Sequence, residues 1–115
     1  MVTKAVIPSA GLGTRLLPLT RAIPKELLPA GTIPLIQLAV EEAVAAGIRE
    51  VCIVLRRGKE ATRNYFVGGA AAVPATSAGR RLAALLGACR VAFAWQPGPR
   101  GLGDAMRCAK DFVGR

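Results

Sequence analysis

Ala5-Val6-Ile7-Pro8-Ser9-Ala10-Gly11-Leu12-Gly13-Thr14-Arg15, followed by Ile23-Pro24-Lys25-Glu26-Leu27-Leu28-Pro29, decides how this chain is read. A short apolar run ends in a tight glycine loop. An Arg stands at the loop exit, and a Lys follows ten residues later between two prolines. In a strand-to-helix turn of this kind the backbone N–H groups face an anion, and fixed cations neutralise it. The stretch therefore predicts a site for a nucleotide's phosphates. Leu16 replaces the third glycine of a dinucleotide fingerprint, and no acidic residue ends the second apolar run, where Leu55-Arg56 stand. The absence of Gly-Lys-Ser/Thr excludes a P-loop.

Moving outward, Lys4–Pro8 reads as a short buried strand and Ser9–Thr14 as the glycine loop. From Arg15 to Pro29, the prolines at 18, 24 and 29 leave a shaped loop with at most a short helix. Thr32 and Pro34 suit a helix start. Leu35, Ile36, Ala39, Val40, Ala43 and Val44 recur at helical spacing up to a capping Gly47. Glu50–Leu55 predicts a second buried strand, Lys59–Phe66 a short helix, and Val67–Gly79 a mobile loop. Arg80–Leu86 reads as helix, Cys89–Trp95 as a third strand and Gln96–Gly101 as a turn. Leu102–Val113 is a helix with Leu102, Ala105, Met106, Ala109 and Phe112 on one face. Strands alternating with helices imply right-handed crossovers and a mainly parallel sheet. Ligands of such sheets bind at the carboxyl ends of the strands. The loops after the first and third strands then line one edge.

With 115 residues, 52% of them hydrophobic, the chain suits at most one domain with a buried core. No uncharged run is long enough to span a bilayer, and Met1-Val2-Thr3-Lys4 leads into a strand pattern rather than a signal peptide. A cytoplasmic setting without membrane contact is expected. The formal charge of +9 raises the question of nucleic acid. Its aromatics, one Trp, one Tyr and three Phe, are not interleaved with a basic cluster. Arg15, Lys25, Arg56, Arg57, Lys59, Arg80, Arg81 and Arg100 are scattered, mostly at element ends, so no nucleic-acid partner is expected. Cys52 and Cys89 fall in apolar strand runs and Cys108 on a helix. With no Cys-x-x-Cys and no His, they read as reduced structural thiols rather than zinc ligands.

Gly-x-Gly-Thr-Arg-x-Leu-Pro-x-Thr followed by Ile-Pro-Lys-Glu-x-Leu-Pro resembles the signature of the sugar-1-phosphate nucleotidylyltransferases. Within them it is most similar to the bacterial UTP–glucose-1-phosphate uridylyltransferase group. The likeness resumes at Pro34-Leu35-Ile36-Gln37 to Gly47, at Arg57-Gly58-Lys59, and from Gly101-Leu102-Gly103 to Val113-Gly114. It implies an α/β, Rossmann-like three-layer nucleotidyltransferase fold with a mainly parallel sheet. Residues 1–115 would form the N-terminal nucleotide-binding part of that domain, truncated and incomplete.

The resemblance implies substrates UTP and glucose 1-phosphate, Mg²⁺ as cofactor, and a homo-oligomer for the full-length enzyme. In the resembling enzymes the sugar phosphate attacks the α-phosphorus of the nucleotide and expels pyrophosphate. That chemistry needs positioning and charge neutralisation more than a protein nucleophile. Arg15 is assigned the leaving phosphates, clamped by bidentate hydrogen bonds, and Lys25 the α-phosphate as a point charge. The likeness lays the Ala10–Gly11 backbone against the uracil ring and brings Gly13 and Thr14 to the phosphates, where glycine's missing Cβ permits the approach. It points Glu26 at the ring N–H, the alternative being an ion pair with a neighbouring cation. Gln96, five residues before Gly101-Leu102-Gly103, matches a base-recognition turn. Its amide offers both donor and acceptor to the uracil edge, and Gly101 leaves room for the ring.

The chain departs from the family at Asp104, where many members carry His, at Thr32-Ile33 and at Leu55-Arg56, which replaces a small pair before Arg57-Gly58-Lys59. The carboxylates expected to hold Mg²⁺ would follow Val113-Gly114, beyond this chain, and removal of later strands would leave an apolar edge prone to self-association. A catalytically inert nucleotide-binding module and a thymidylyltransferase-type relative stand as alternatives.

Overall fold

Val51 to Leu55 are five consecutive residues at 1% exposure or less, which marks β4 (Glu50–Arg56) as the middle of the sheet. A strand covered on both faces carries a continuous apolar run rather than an alternation, as Val51-Cys52-Ile53-Val54-Leu55 does. In this computed structural model, residues 2–10, 15, 17–67, 73–97 and 101–114 are described, the side chains of residues 101 and 102 excepted.

β1 (Lys4–Pro8) and β5 (Arg90–Gln96) flank β4 in the order β1-β4-β5, and both pair with it in parallel. The register sets Pro8 beside Val54 and Arg56 beside Gln96. A separate two-residue antiparallel pair, β2 (Pro29–Ala30) with β3 (Ile33–Pro34), leads into α1 (Leu35–Ala45). Gly47, at φ 98°, follows α1 in the left-handed conformation that glycine adopts without a Cβ penalty.

Side-chain alternation along β4 divides the core in two. Val51, Ile53 and Leu55 face Ile36 and Val40 of α1, Phe66 of α2 (Glu60–Phe66), and Leu82 and Leu85 of α3 (Ser77–Ala88). Cys52 and Val54 face Ala105 of α4 (Gly101–Cys108), Ala109, and Phe112 of α5 (Lys110–Val113). Helices therefore cover both faces of a parallel sheet, the three-layer α/β arrangement expected from the alternating pattern.

Several local expectations need correction. β1 is half-buried rather than buried, because among the described residues only β4 pairs with it. Lys4 ties that strand across the sheet, donating from Nζ to the Phe112 carbonyl at 3.1 Å. α3 starts at Ser77, inside the expected loop 67–79, since the Thr76 hydroxyl accepts from the Gly79 N–H and caps it. Of that loop, residues 68–72 lie outside the described set. The last helix is broken at Ala109 into α4 and α5, and Met106 is 44% exposed rather than on the buried face. Leu35 is also exposed, while Gln37 is fully buried. Its amide donates to Glu41 and its carbonyl accepts from the Tyr65 hydroxyl. Cys89 precedes β5 instead of lying in it. It and Cys52 are buried, Cys108 is half-buried, and none of the three is joined in a disulfide.

Candidate functional site

The carboxyl ends of the three strands converge on one edge. The Ser9 N–H donates to the Val54 carbonyl at 2.8 Å, extending the β1–β4 ladder by one residue into the loop. Ser9 and Ala10 are consequently buried against the strand end, and Gln96, also buried, closes β5 level with Arg56. The turn Arg57-Gly58, with Gly58 at φ 97°, delivers Lys59 back under this edge.

Lys59 is the residue that sequence reasoning missed as a site member. It was noted in Arg57-Gly58-Lys59, but a lysine is normally solvated, and this one is 3% exposed. Its Nζ donates to the Ser9 carbonyl at 2.6 Å and to Glu26 Oε1 at 3.0 Å. The other Glu26 oxygen accepts from the Thr62 hydroxyl at 3.1 Å. Glu26 belongs to a 3₁₀ turn, Lys25–Leu27, between the prolines, so this ion pair fastens the proline-rich loop to the glycine-loop stem. Burial pulls the Lys59 ammonium below the usual lysine range. Glu26 opposes that shift, and the positive charges of Arg56 and Lys25 add to it.

The other sequence-chosen residues fall as follows. Ala10 lies buried at the strand end, and Lys25 is exposed beside Glu26 at the rim of a cleft that Arg56, Gly58 and Lys59 also line. Arg15 is exposed. Gly11, Gly13 and Thr14 lie outside the described residues, and Gly101 opens α4. On the far side of the edge, Arg57, Glu60, Trp95, Gln96 and Pro97 line a wider, open cavity of about 550 Å³. The Gln96 amide donates from Nε2 to Asp104 Oδ2 at 2.8 Å, and Asp104 in turn holds Arg107 at 2.5 Å. The family departure at Asp104 is thus the residue that orients Gln96.

Among the described residues no three His, Cys, Asp or Glu side chains stand close enough to hold a metal ion. Asp104 is engaged by Gln96 and Arg107, and Glu26 by Lys59 and Thr62. This donor set does not fit a magnesium centre. No helix among the described residues is long and apolar enough to cross a membrane.

Residues 4–115 match the family described as nucleotidyl transferase. A UTP–glucose-1-phosphate uridylyltransferase from Mycoplasma pneumoniae is 42% identical over 119 residues, an alignment covering 98% of this chain and 41% of that protein. The chain therefore spans about two fifths of that relative's length. A crystal structure of UDP-glucose pyrophosphorylase complexed with UDP-glucose superposes with a TM-score of 0.83 at 36% identity, covering 99% of this chain and 42% of that one. A UTP-bound enzyme of the same kind from Acinetobacter baumannii gives a TM-score of 0.81 at 38% identity, covering 99% of this chain and 42% of its own.

Proposed function

The chain belongs to the nucleotidyl transferase family, and on that premise we propose that it is the nucleotide-binding part of an enzyme transferring a uridylyl group from UTP to glucose 1-phosphate. The products are UDP-glucose and pyrophosphate. The single observation that carries this reading is the level strand edge, where Ser9–Ala10, the Arg56–Lys59 turn and Gln96 share one rim with the Lys25–Glu26 turn pinned beneath it. The similarity to uridylyltransferases at 42% identity supports the choice of nucleotide.

In this reading an oxygen of the sugar phosphate attacks the α-phosphorus of UTP, the bond to the β-phosphate oxygen breaks, and pyrophosphate leaves. Arg15 clamps the leaving phosphates, and Lys25 neutralises charge on the α-phosphate. Gly11, Gly13 and Thr14 supply the backbone cradle, and Ala10 and Gly101 bracket the base. Gln96 reads the uracil edge. Asp104 holds one amide N–H, which fixes the orientation of the amide carbonyl as an acceptor. Glu26, buried and engaged through both oxygens by Lys59 and Thr62, takes the alternative of an ion pair with a neighbouring cation rather than contact with the ring N–H. Magnesium is proposed for the whole enzyme, which would neutralise phosphate charge when bound. No step here is routed through it. A cytoplasmic setting is part of the same proposal, supported by three cysteines that are not joined in disulfides.

Calorimetric titration with UTP and, separately, TTP tests this reading. UTP binding that is preferred over TTP, and that falls about tenfold or more in Gln96→Ala, is the expected result. A folded chain that binds neither nucleotide sinks it, and preference for TTP moves it to a thymidylyltransferase.

A further inference from the structure

β5 pairs with β4 on one side, and among the described residues no strand pairs with its other side. The Arg90 N–H donates to the Arg49 carbonyl at 2.8 Å. Backbone groups of successive strand residues turn to opposite sides. Arg90, Ala92, Ala94 and Gln96 therefore serve the β4 ladder, and Val91, Phe93 and Trp95 turn their N–H and carbonyl groups outward. Such a row is a template for another strand, and edges are usually blunted by charge, proline or a bulge. β1, at the other edge among the described residues, begins with Lys4 and ends with Pro8. β5 carries only Arg90, at its first position, and runs beside β4 without a bulge from Arg90 to Gln96.

The sequence of β5 supplies the second observation, because it has a centre. Read outward from Phe93, Arg90-Val91-Ala92-Phe93-Ala94-Trp95-Gln96 gives an alanine, a large apolar residue and a polar residue in both directions. A two-fold contact needs that symmetry, since residue i must suit j and j must suit i. An unrelated strand does not need it. Val91 and Phe93 pack on the α3 face of the sheet, and alternation sets Trp95 on the same side. Ala92 and Ala94 lie on the α4 face, where they leave an open groove of about 390 Å³ beside Cys108, Ala109 and Phe112. Trp95 is 43% exposed, a large ring left in water at the strand's end.

We propose that β5 pairs antiparallel with β5 of a second copy of this chain, about a two-fold axis beside Phe93, so that two sheets join into one. Phe93 lies opposite Phe93 of the second copy, and Val91 lies opposite its Trp95. These outward-turned residues exchange their N–H and carbonyl groups as hydrogen-bonded pairs. Ala92 lies opposite Ala94, in the closer non-hydrogen-bonded pairing that small side chains suit. Arg90 comes beside Gln96 of the second copy, whose amide is held by Asp104, so a cation meets the carboxylate-backed end of the facing strand. The axis closes the contact, and no open-ended fibre grows from it. This contact goes beyond the nucleotide reading and does not depend on it.

Sedimentation velocity of the chain across a concentration range tests the proposal, with the emission of its sole tryptophan, Trp95, read on the same samples. A reversible monomer–dimer equilibrium is expected, and the emission should move to the blue as dimer forms. Salt should strengthen the dimer, because each copy carries a formal charge of +9. Val91→Pro removes an outward N–H from each copy and spares the β4 ladder, so it should weaken the dimer about tenfold or more. Ala94→Lys and Ala92→Glu should each weaken it, since each sets like charges diagonally across the axis. Mixing those two variants should restore much of the dimer, because the introduced ammonium of one then faces the introduced carboxylate of the other. Recovery on mixing also shows that both are folded, and circular dichroism checks Val91→Pro. A chain that stays monomeric with constant emission, open-ended association, a dimer untouched by a folded Val91→Pro, or no recovery on mixing overturns the proposal.

Discussion

Lys59 and Glu26, 33 residues apart in sequence, form an ion pair at 3.0 Å with side chains 4% and 6% exposed. Charges so enclosed are tolerated only when paired and hydrogen-bonded. Here Ser9 and Thr62 complete the set. The pair joins three segments that the sheet alone does not connect: the stem of the glycine loop, the proline-rich turn carrying Lys25, and the start of α2.

Removing one partner should therefore be far worse than removing both. Lys59→Met leaves the Glu26 carboxylate buried and uncompensated, and should cost about 3–5 kcal/mol in denaturant unfolding. The double variant Lys59→Met/Glu26→Gln should recover much of that loss, because no net charge remains inside. Equal stability of the wild type and Lys59→Met would show that the pair does not hold the loops.

The pair also shows where sequence reading stops. The strand leading to Ser9–Ala10, the short turn at Lys25–Leu27 and the strand end at Gln96 are legible because they depend on local patterns: an apolar run, prolines at fixed offsets, a Pro/Gly turn. β4 was legible because a strand covered on both faces writes a continuous apolar run into the sequence. Burial of Lys59 and Gln37 was not, since each is sheltered by partners far along the chain, Glu26 for one and Tyr65 for the other. The break at Ala109 was hidden for a different reason. The apolar spacing of Ala105, Ala109 and Phe112 continues unchanged through it, so periodicity alone reads as one helix.

Glu41 accepts from Arg81 through both its oxygens, at 2.7 and 2.5 Å, joining α1 to α3. The Arg81 hydrogen bond is the main cause holding the Glu41 carboxyl below its ordinary value of 4.5. Burial works against it, and the Gln37 amide and the Arg81 charge help. A folded-state value below the unfolded one means that the unfolded chain binds the proton more readily at acid pH. The stabilisation is thus fully present above about pH 4.5 and is lost as pH falls through the lower folded value. Arg81 is half exposed, so solvent screens the pair and Arg81→Gln should be only slightly less stable than the wild type at neutral pH. The difference should shrink on acidification to about pH 3. A difference that grows on acidification would contradict the assignment.

Asp104 should act on nucleotide choice through Gln96 rather than on stability. Its carboxylate holds the Gln96 amide at 2.8 Å from the first turn of α4. Asp104→Ala frees the amide to rotate, and the proposed uridine preference should fall about fivefold to tenfold. Asp104→Asn, which keeps an acceptor oxygen, should retain most of the preference. The ratio of UTP to CTP affinity is the readout, because uracil and cytosine differ at the hydrogen-bonding edge that the amide meets, whereas a merely structural role would weaken both nucleotides equally.

Gly58 sets the turn that carries both Arg56 and Lys59 to their places. At φ 97° it occupies backbone space that side-chain-bearing residues avoid, yet a Cβ built there would meet nothing closer than Arg56 Nη1 at 3.8 Å. The penalty for Gly58→Ala is therefore conformational and not steric crowding, about 1–2 kcal/mol. Gly58→Asn should lose less, because Asn tolerates positive φ through its local side-chain hydrogen bonds. Gly58→Val should lose more, since β-branching adds to the strain. Chemical denaturation of the three variants checks this order. Equal losses in all three would mean that the turn relaxes to another conformation on substitution, and Arg56 and Lys59 would then be displaced together.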